Sequence, residues 1–238
     1  MSVFKDIVKL WNADDLLSQA WDESYKMMML SNEIFTQAIK YLREGENKDI
    51  IKALKKRDVE INNFQKDVRR KVVTHYAISQ DIDDLPNGFV LLNMVVDVER
   101  VGDYTKNIFD LARRHPKRLN AGSLEAQLKA LEEHTSEVFH DTIEAFRNSD
   151  EDLARQVMDD YKEEISADSE KMTDDIIGGA VSDLKSPEAA AVVLYARFLK
   201  RIGSHSRNIA TSIVNPFHRI GYNEKSDKSP GTDVIPPT

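Results

Sequence analysis

The most regular pattern in this chain is a stripe of apolar residues that alternates spacings of three and four along residues 86–114. An apolar position about every 3.5 residues is typical of an α-helix that packs lengthwise against other helices, with crossing angles near 20°. We therefore predict a long bundle helix that begins near Pro86, a favourable first-turn residue, and ends near Arg114, just before Pro116. The stripe consists of Leu91, Met94, Val98, Val101, Thr105, Ile108 and Ala112.

The same stripe recurs 101 residues later in the chain. The segment Lys200-Arg-Ile-Gly-Ser-His-Ser-Arg-Asn-Ile209 repeats Glu99-Arg-Val-Gly-Asp-Tyr-Thr-Lys-Asn-Ile108, with Arg, Gly, Asn and Ile in the same places. Residues 135–147 likewise resemble residues 31–43 at an offset of 104, which also pairs Ile61 with Ile165. Offsets close to 100 across three helical segments indicate a tandem duplication of a three-helix unit. The second stripe comprises Val192, Tyr195, Leu199, Ile202, Ser206, Ile209 and Ile213.

The pattern as a whole predicts an all-α fold of two tandem, pseudo-symmetric three-helix bundles with six long helices. The six helices cover about residues 13–44, 47–77, 86–114, 123–148, 150–178 and 186–215. A short amphipathic helix at residues 3–11 is expected before them, and it either caps the bundle or docks onto a partner or a membrane surface. We predict a first bundle at residues 1–117, a second at 118–220 and a disordered, proline-containing tail at 221–238.

Composition narrows the function classes. The net charge of −8 argues against a nucleic-acid-binding protein, whose electrostatic footprint is basic. The chain has no cysteine, which excludes disulfides and thiolate metal sites. The sequence contains neither a signal-peptide pattern nor a run of about 20 apolar residues. We therefore expect a cytoplasmic protein that is at most peripheral to a membrane.

One pair of carboxylates stands out as candidate chemistry. Glu99 and Asp103 are four residues apart, so a helix places them on one face, one turn apart. If Val98 and Val101 face the seam, both acids point away from it, onto a face where they need no desolvation. Carboxylate oxygens are ligands that hard cations prefer. The alternative is that the acids simply form a solvated helix face.

Two acids do not complete a coordination shell, so further oxygen ligands would have to come from elsewhere. The preceding helix offers Asp58 and Asn62, again four residues apart. The candidate metal ligands are therefore Glu99, Asp103, Asp58 and Asn62.

The segment Glu99-Arg-Val-Gly-Asp103, followed by Asn107-Ile108, resembles the signature of the PhoU family of phosphate-uptake regulators. The resemblance extends over residues 15–217 and includes the duplication and the helix count. It implies clusters of transition-metal ions, iron or zinc, at Glu99 and Asp103, and more loosely at Asp58 and Asn62. It also implies a homodimer and negative control of phosphate uptake and signalling. Its implied partners are a phosphate transporter and a sensor histidine kinase.

The second copy departs from the family pattern. Lys200 and Ser204 stand where acids are expected, and a lysine ammonium repels a metal cation. We therefore predict no family-type metal cluster on the second bundle, where the nearby acids are expected to form a solvated face. Glycine recurs in mid-helix at Gly102 and Gly203, which predicts close contact with a neighbouring helix.

Two other functions remain open from the residues. A carboxylate–metal enzyme on a helical bundle is one, although such enzymes usually carry an inward-facing Glu-x-x-His motif on each of two helices, and this chain has a single such motif, Glu137-Val-Phe-His140. A structural adaptor without metal is the other. We do not expect Ser204-His205-Ser206 to supply a nucleophile, because the sequence places no acid to orient His205. We expect His205 to serve packing or to lie on the surface.

Overall fold

The computed structural model describes residues 15–45, 48–79, 84–115 and 118–224, and only the backbone of residues 48–55. Within these ranges the chain is helical, with no strand. The predicted fold is confirmed, and the helix ends fall within three residues of the predicted ones. The long helices are α1 (Leu16–Glu44), α2 (Lys48–Ser79), α3 (Leu85–Arg114), α4 (Glu125–Asn148), α5 (Glu151–Asp160, Tyr161–Ser166 and Ala167–Ile177) and α6 (Ser186–Val214).

The helix ends follow local chemistry. The Asp15 carboxylate accepts a hydrogen bond from the Leu17 backbone N–H at 3.3 Å, and Asp150 caps α5 in the same way. Gly45 ends α1 with a φ of 72°, in the left-handed region that favours glycine. Pro86 lies in the first turn of α3, where its missing N–H costs nothing.

The two apolar stripes form the centre of the protein. All positions of the α6 stripe are buried, as are all those of the α3 stripe except the partly buried Ala112. The buried residues of both bundles belong to one continuous hydrophobic cluster. The two bundles therefore share a core, in which α3 lies along α6.

Repeat-equivalent residues meet across the shared core. Phe35 contacts Phe139, with ring centroids 6.4 Å apart, and Tyr104 stacks on His205 at 5.7 Å. A residue can contact its own equivalent only close to a two-fold axis. The duplicated units are therefore packed face to face about an approximate two-fold axis.

The middle helices of the two bundles differ. In α2 the described backbone is α-helical throughout, whereas in α5 the segment Tyr161–Ser166 is a π-helix. Both contact the mid-helix glycine of the next helix, as predicted. A Cβ on Gly102 would meet the Ile61 side chain at 3.3 Å, and one on Gly203 would meet Ile165 at 3.1 Å. This shared contact shows that the offset of 104 holds in three dimensions.

Some predictions fall on other parts of the chain. The short helix at residues 3–11 and the tail after residue 224 lie outside the described residues. The predicted boundary between residues 117 and 118 adjoins two residues that are also outside them, so the division of the chain stays a prediction. None of the described helices combines the length and the apolar character needed to cross a bilayer.

Candidate functional site

Two of the three candidate carboxylates are joined through a lysine. The Lys106 ammonium on α3 lies 3.1 Å from Asp58 Oδ2 on α2 and 3.4 Å from Asp103 Oδ1 on its own helix. Arg100 approaches the Glu99 and Asp103 carboxylates, 3.1 Å from Asp103 Oδ2 and 3.8 Å from Glu99 Oε2. The acidic face is therefore interleaved with two cations from α3.

Glu99 is more enclosed than its position off the seam predicts. Burial raises the pKa of Glu99, and the negative charge of Asp103 raises it further. The expectation that these acids need no desolvation is therefore wrong for Glu99. The physical reason is that α2 packs against α3 through Gly102 and covers part of the neighbouring face.

Lys106 stays charged in this setting. Desolvation acts to lower its pKa, but the hydrogen bond to Asp58 and the charges of Asp58 and Asp103 outweigh that effect and raise it. A charged ammonium between two carboxylates occupies the place that a metal ion would need. In this structure the acids are neutralised from within the chain.

These residues do not fit a metal cluster as they are arranged. Their oxygen atoms suit a cation, but the described residues include no group of three His, Asp or Glu side chains placed to hold one. Asn62 is partly buried next to Ile61, and the described hydrogen bonds do not join it to the Lys106 bridge. Metal binding at Glu99, Asp103, Asp58 and Asn62 stays a prediction, and it requires Lys106 to move.

The equivalent helix face of the second bundle has a different composition. Lys200, which replaces Glu99, forms an ion pair with Glu170 on α5. Arg207, which replaces Lys106, donates hydrogen bonds to the Gly221 carbonyl at 3.2 Å and the Asn223 side chain at 2.5 Å. The acid cluster of the first bundle therefore has no acidic counterpart at these positions.

Sequence reasoning missed a polar cluster at the contact between the bundles. His205 Nδ1 lies 2.7 Å from Asp97 Oδ1, and the Asn208 amide donates to the same oxygen at 3.2 Å. Asp97 therefore orients His205, contrary to the premise that no acid is placed to do so. The offset of 101 provided the signal, because the equivalents of Asp97 and His205 are Phe198 and Tyr104.

The symmetry-related contact is aromatic. Phe198 and Tyr104 have ring centroids 6.3 Å apart, at the place equivalent to the Asp97–His205 pair. Among the flanking serines, Ser206 is buried and donates its hydroxyl to the Ile202 carbonyl at 3.0 Å. The Asp97–His205 pair is thus a polar substitute for a packing contact within the core.

Each of the two repeats matches a known family of proteins. The PhoU domain model matches residues 25–112 and, a second time, residues 128–213. The chain is 25% identical over 179 residues to the "phosphate-specific transport system accessory protein PhoU homolog" of Clostridium acetobutylicum, spanning 72% of this chain and 78% of that protein.

Two solved structures share the fold. PhoU from Pseudomonas aeruginosa is similar with a TM-score of 0.76 at 19% identity, over 84% of this chain and 95% of that one. The phosphate transport system regulatory protein PhoU from Streptococcus pneumoniae gives 0.73 at 19% identity, over 83% and 93% of the two chains.

Proposed function

This chain belongs to the PhoU family, and we propose that it is a regulatory accessory protein of phosphate transport that acts by protein–protein contact rather than by catalysis. The observation that carries this proposal is that the family model matches both halves of the chain. Clostridium acetobutylicum has a relative named as an accessory protein of a phosphate-specific transport system. The proposed partners are a phosphate transporter and a sensor histidine kinase in the cytoplasm, with the chain acting as a homodimer.

The described side chains favour contact over chemistry. The acids Asp58 and Asp103 are bridged by Lys106, and the oriented histidine, His205, is engaged by Asp97 in the shared core. Neither cluster presents a nucleophile with a base beside it. The net charge of −8 suits contact with a basic surface of a partner.

The regulatory proposal does not depend on metal. Iron or zinc at Glu99, Asp103, Asp58 and Asn62 is a separate proposal, supported by the oxygen ligands and opposed by the Lys106 ammonium. An adaptor that holds its acids with its own lysine accounts for the same contacts without a metal. Removal of Lys106 separates the two, because zinc affinity should rise only if Lys106 and a metal ion compete for the same acids.

The test is deletion of the gene in its native host, with phosphate uptake measured in cells grown with abundant phosphate. We expect uptake to stay high in the deletion strain, return to normal with the wild-type gene, and the tagged protein to co-purify with the phosphate transporter after cross-linking. Unchanged uptake together with no co-purification would contradict the proposal. Metal-dependent phosphoester hydrolysis that is lost in E99A/D103A but kept in K200A/S204A, the equivalent pair, would instead favour the enzyme.

A further inference from the structure

The second bundle contains a cavity at the face equivalent to the acid cluster. Its volume is about 500 Å³, and it lies between α5, α6 and the chain after α6. Lys162 and Ser166 from the π-helical segment line it, together with Arg207 from α6. A volume of this size is within the range of small-molecule sites, roughly 300–1,000 Å³.

Each of these lining residues has a known equivalent in the first bundle. The offset of 104, which the Ile61–Gly102 and Ile165–Gly203 contacts support, pairs Asp58 with Lys162 and Asn62 with Ser166. The offset of 101 pairs Lys106 with Arg207. An acid that binds a lysine in the first bundle is therefore replaced in the second bundle by a cation that lines the same cavity as a second cation.

The remaining two positions changed in the same sense. Glu99 and Asp103 of the first bundle correspond to Lys200 and Ser204. All three carboxylates have been replaced, two by lysine and one by serine, whereas both cations are kept, Lys106 as Arg207 and Arg100 as Arg201. Replacement by alanine or leucine would suffice if these positions had merely lost a role. Cations and hydroxyl groups are the donors that bind an oxyanion.

The contacts within the chain leave hydrogen-bond donors of Lys162 and Arg207 available to a ligand in the cavity. Within the described part of the chain, no carboxylate lies within ion-pair distance of the exposed Lys162 ammonium. Arg207 uses two of its N–H groups on Gly221 and Asn223, and a guanidinium carries five. Arg155, which also lines the cavity, is paired with Glu224, so that carboxylate is neutralised within the wall.

We propose that this cavity binds a tetrahedral oxyanion that carries a proton, namely hydrogen phosphate. Lys162, Arg207 and the Ser166 hydroxyl donate to its oxygens. The Asp159 carboxylate, which lines the same cavity, accepts a hydrogen bond from the protonated oxygen of the anion and repels sulfate, which has no proton at neutral pH. The π-helix supports this assignment, because π-segments within α-helices are rare and occur frequently at functional sites.

The test is calorimetric titration of the full-length protein with inorganic phosphate at neutral pH. We expect saturable binding that weakens about tenfold in Lys162→Gln, since a charged donor is lost, and stays unchanged in Lys106→Gln, the control at the equivalent position. Thermal unfolding without phosphate checks that both variants fold. No binding by the wild-type protein, or equal weakening by both substitutions, would overturn the proposal.

Two further titrations test the chemistry of the ligand. Sulfate should bind at least tenfold more weakly than phosphate to the wild-type protein, and Asp159→Asn should remove most of that difference; equal binding of the two anions by the wild type would contradict the role of Asp159. Glycerol 3-phosphate distinguishes free phosphate from a phosphate group carried on an organic molecule: we expect it to bind more weakly than inorganic phosphate, and tighter binding would overturn the assignment of free hydrogen phosphate.

Phosphate binding in this cavity goes beyond the proposed function. The titrations use the isolated protein, whereas the regulatory proposal is tested in cells, so either can fail while the other stands.

Discussion

The α2–α3 face of the first bundle and the α5–α6 face of the second have the same scaffold and opposite charge. In the first, Asp58 and Asp103 are bridged by Lys106; in the second, Lys162 and Arg207 line a cavity. The buried stripes and mid-helix glycines are kept in both. Packing therefore restrains the seam of a duplicated bundle, while the outer face is free to acquire the opposite electrostatics.

The helix backbones differ in the same place. Where α2 contributes to the face of the first bundle it is a regular α-helix. At the equivalent place α5 contains the π-segment Tyr161–Ser166, which includes both Lys162 and Ser166. The structural departure and the change of charge coincide. This coincidence indicates that the second face was remodelled rather than lost.

The largest expected difference between equivalent positions concerns Arg43 and Arg147. Arg43 is nearly buried, donates to the Leu119 carbonyl at 2.6 Å and pairs with Glu132 at 3.1 Å. Arg43→Ala would leave the Glu132 carboxylate buried without its cation, so we expect the free energy of unfolding to fall by about 3 kcal/mol. Chemical denaturation measures this loss.

Arg147→Ala is the matched control. Arg147 contacts only the Tyr25 hydroxyl and ring among the interactions described for it, at an exposed position. We expect a loss below about 1 kcal/mol. Equal losses for the two arginines would mean that burial of the Arg43 pair does not matter.

The next largest effect concerns the Asp97–His205 contact, which the approximate two-fold axis relates to the Phe198–Tyr104 contact. Asp97→Ala removes the acceptor of His205 and Asn208, and we expect the free energy of unfolding to fall by about 2 kcal/mol. The double variant D97F/H205Y copies the aromatic contact of Phe198 with Tyr104 and should recover part of the loss. If the double variant is less stable than Asp97→Ala, the two contacts are not interchangeable.

Removal of Lys106 tests the neutralised acid cluster. Lys106→Met leaves Asp58 and Asp103 without their shared cation, so stability should fall by about 0.5 kcal/mol and zinc affinity should rise about tenfold or more. Zinc titration of the apo protein measures the second effect. Arg207→Met, at the equivalent position, should leave zinc affinity as it is. An unchanged affinity in Lys106→Met would show that Lys106 and metal do not compete.

The smallest effect is the pH dependence of Glu99. Burial raises its pKa in the folded state, so protonation favours folding, and that stabilisation is lost as the pH rises through the folded-state pKa. Glu99→Gln should therefore increase the unfolding free energy at neutral pH by about 0.5 kcal/mol, and the gain should vanish in acid. Unfolding measured across that pH range checks this.

Glu33→Gln is the control of opposite sign. The hydrogen bond from Arg57 lowers the pKa of Glu33, so its carboxylate stabilises the folded state and the substitution should destabilise it at neutral pH. A gain in stability from both substitutions would point to a general effect of net charge.

The bundle could be predicted from the sequence because its determinants are periodic. The stripes of α3 and α6, the turn at Gly45 and the position of Pro86 are local signals, and the structure matches them. The shared core could not be predicted in the same way. A stripe shows that a helix packs, but it does not show which helix lies against it.

The candidate site was only partly predictable for the same reason. Lys106 lies within the repeated segment, but its bridge to Asp58 depends on how α2 and α3 pack. The Asp97–His205 pair joins residues 108 positions apart, which no local pattern reports. The cavity lined by Lys162 lies at the π-segment of α5, and helix periodicity does not predict a π-segment.

The central claim is that the equivalent faces of the two bundles differ in charge, so that Lys106 neutralises the acids of the first face while the cations of the second face bind an anion. Its most direct test is a crystal structure of the full-length protein with arsenate, which carries a proton at neutral pH as phosphate does and has a distinct X-ray absorption edge. We predict an anomalous peak among Lys162, Ser166 and Arg207, and none between Asp58 and Asp103, where Lys106 should remain. A peak at the first bundle, or no peak at the second, would contradict the account.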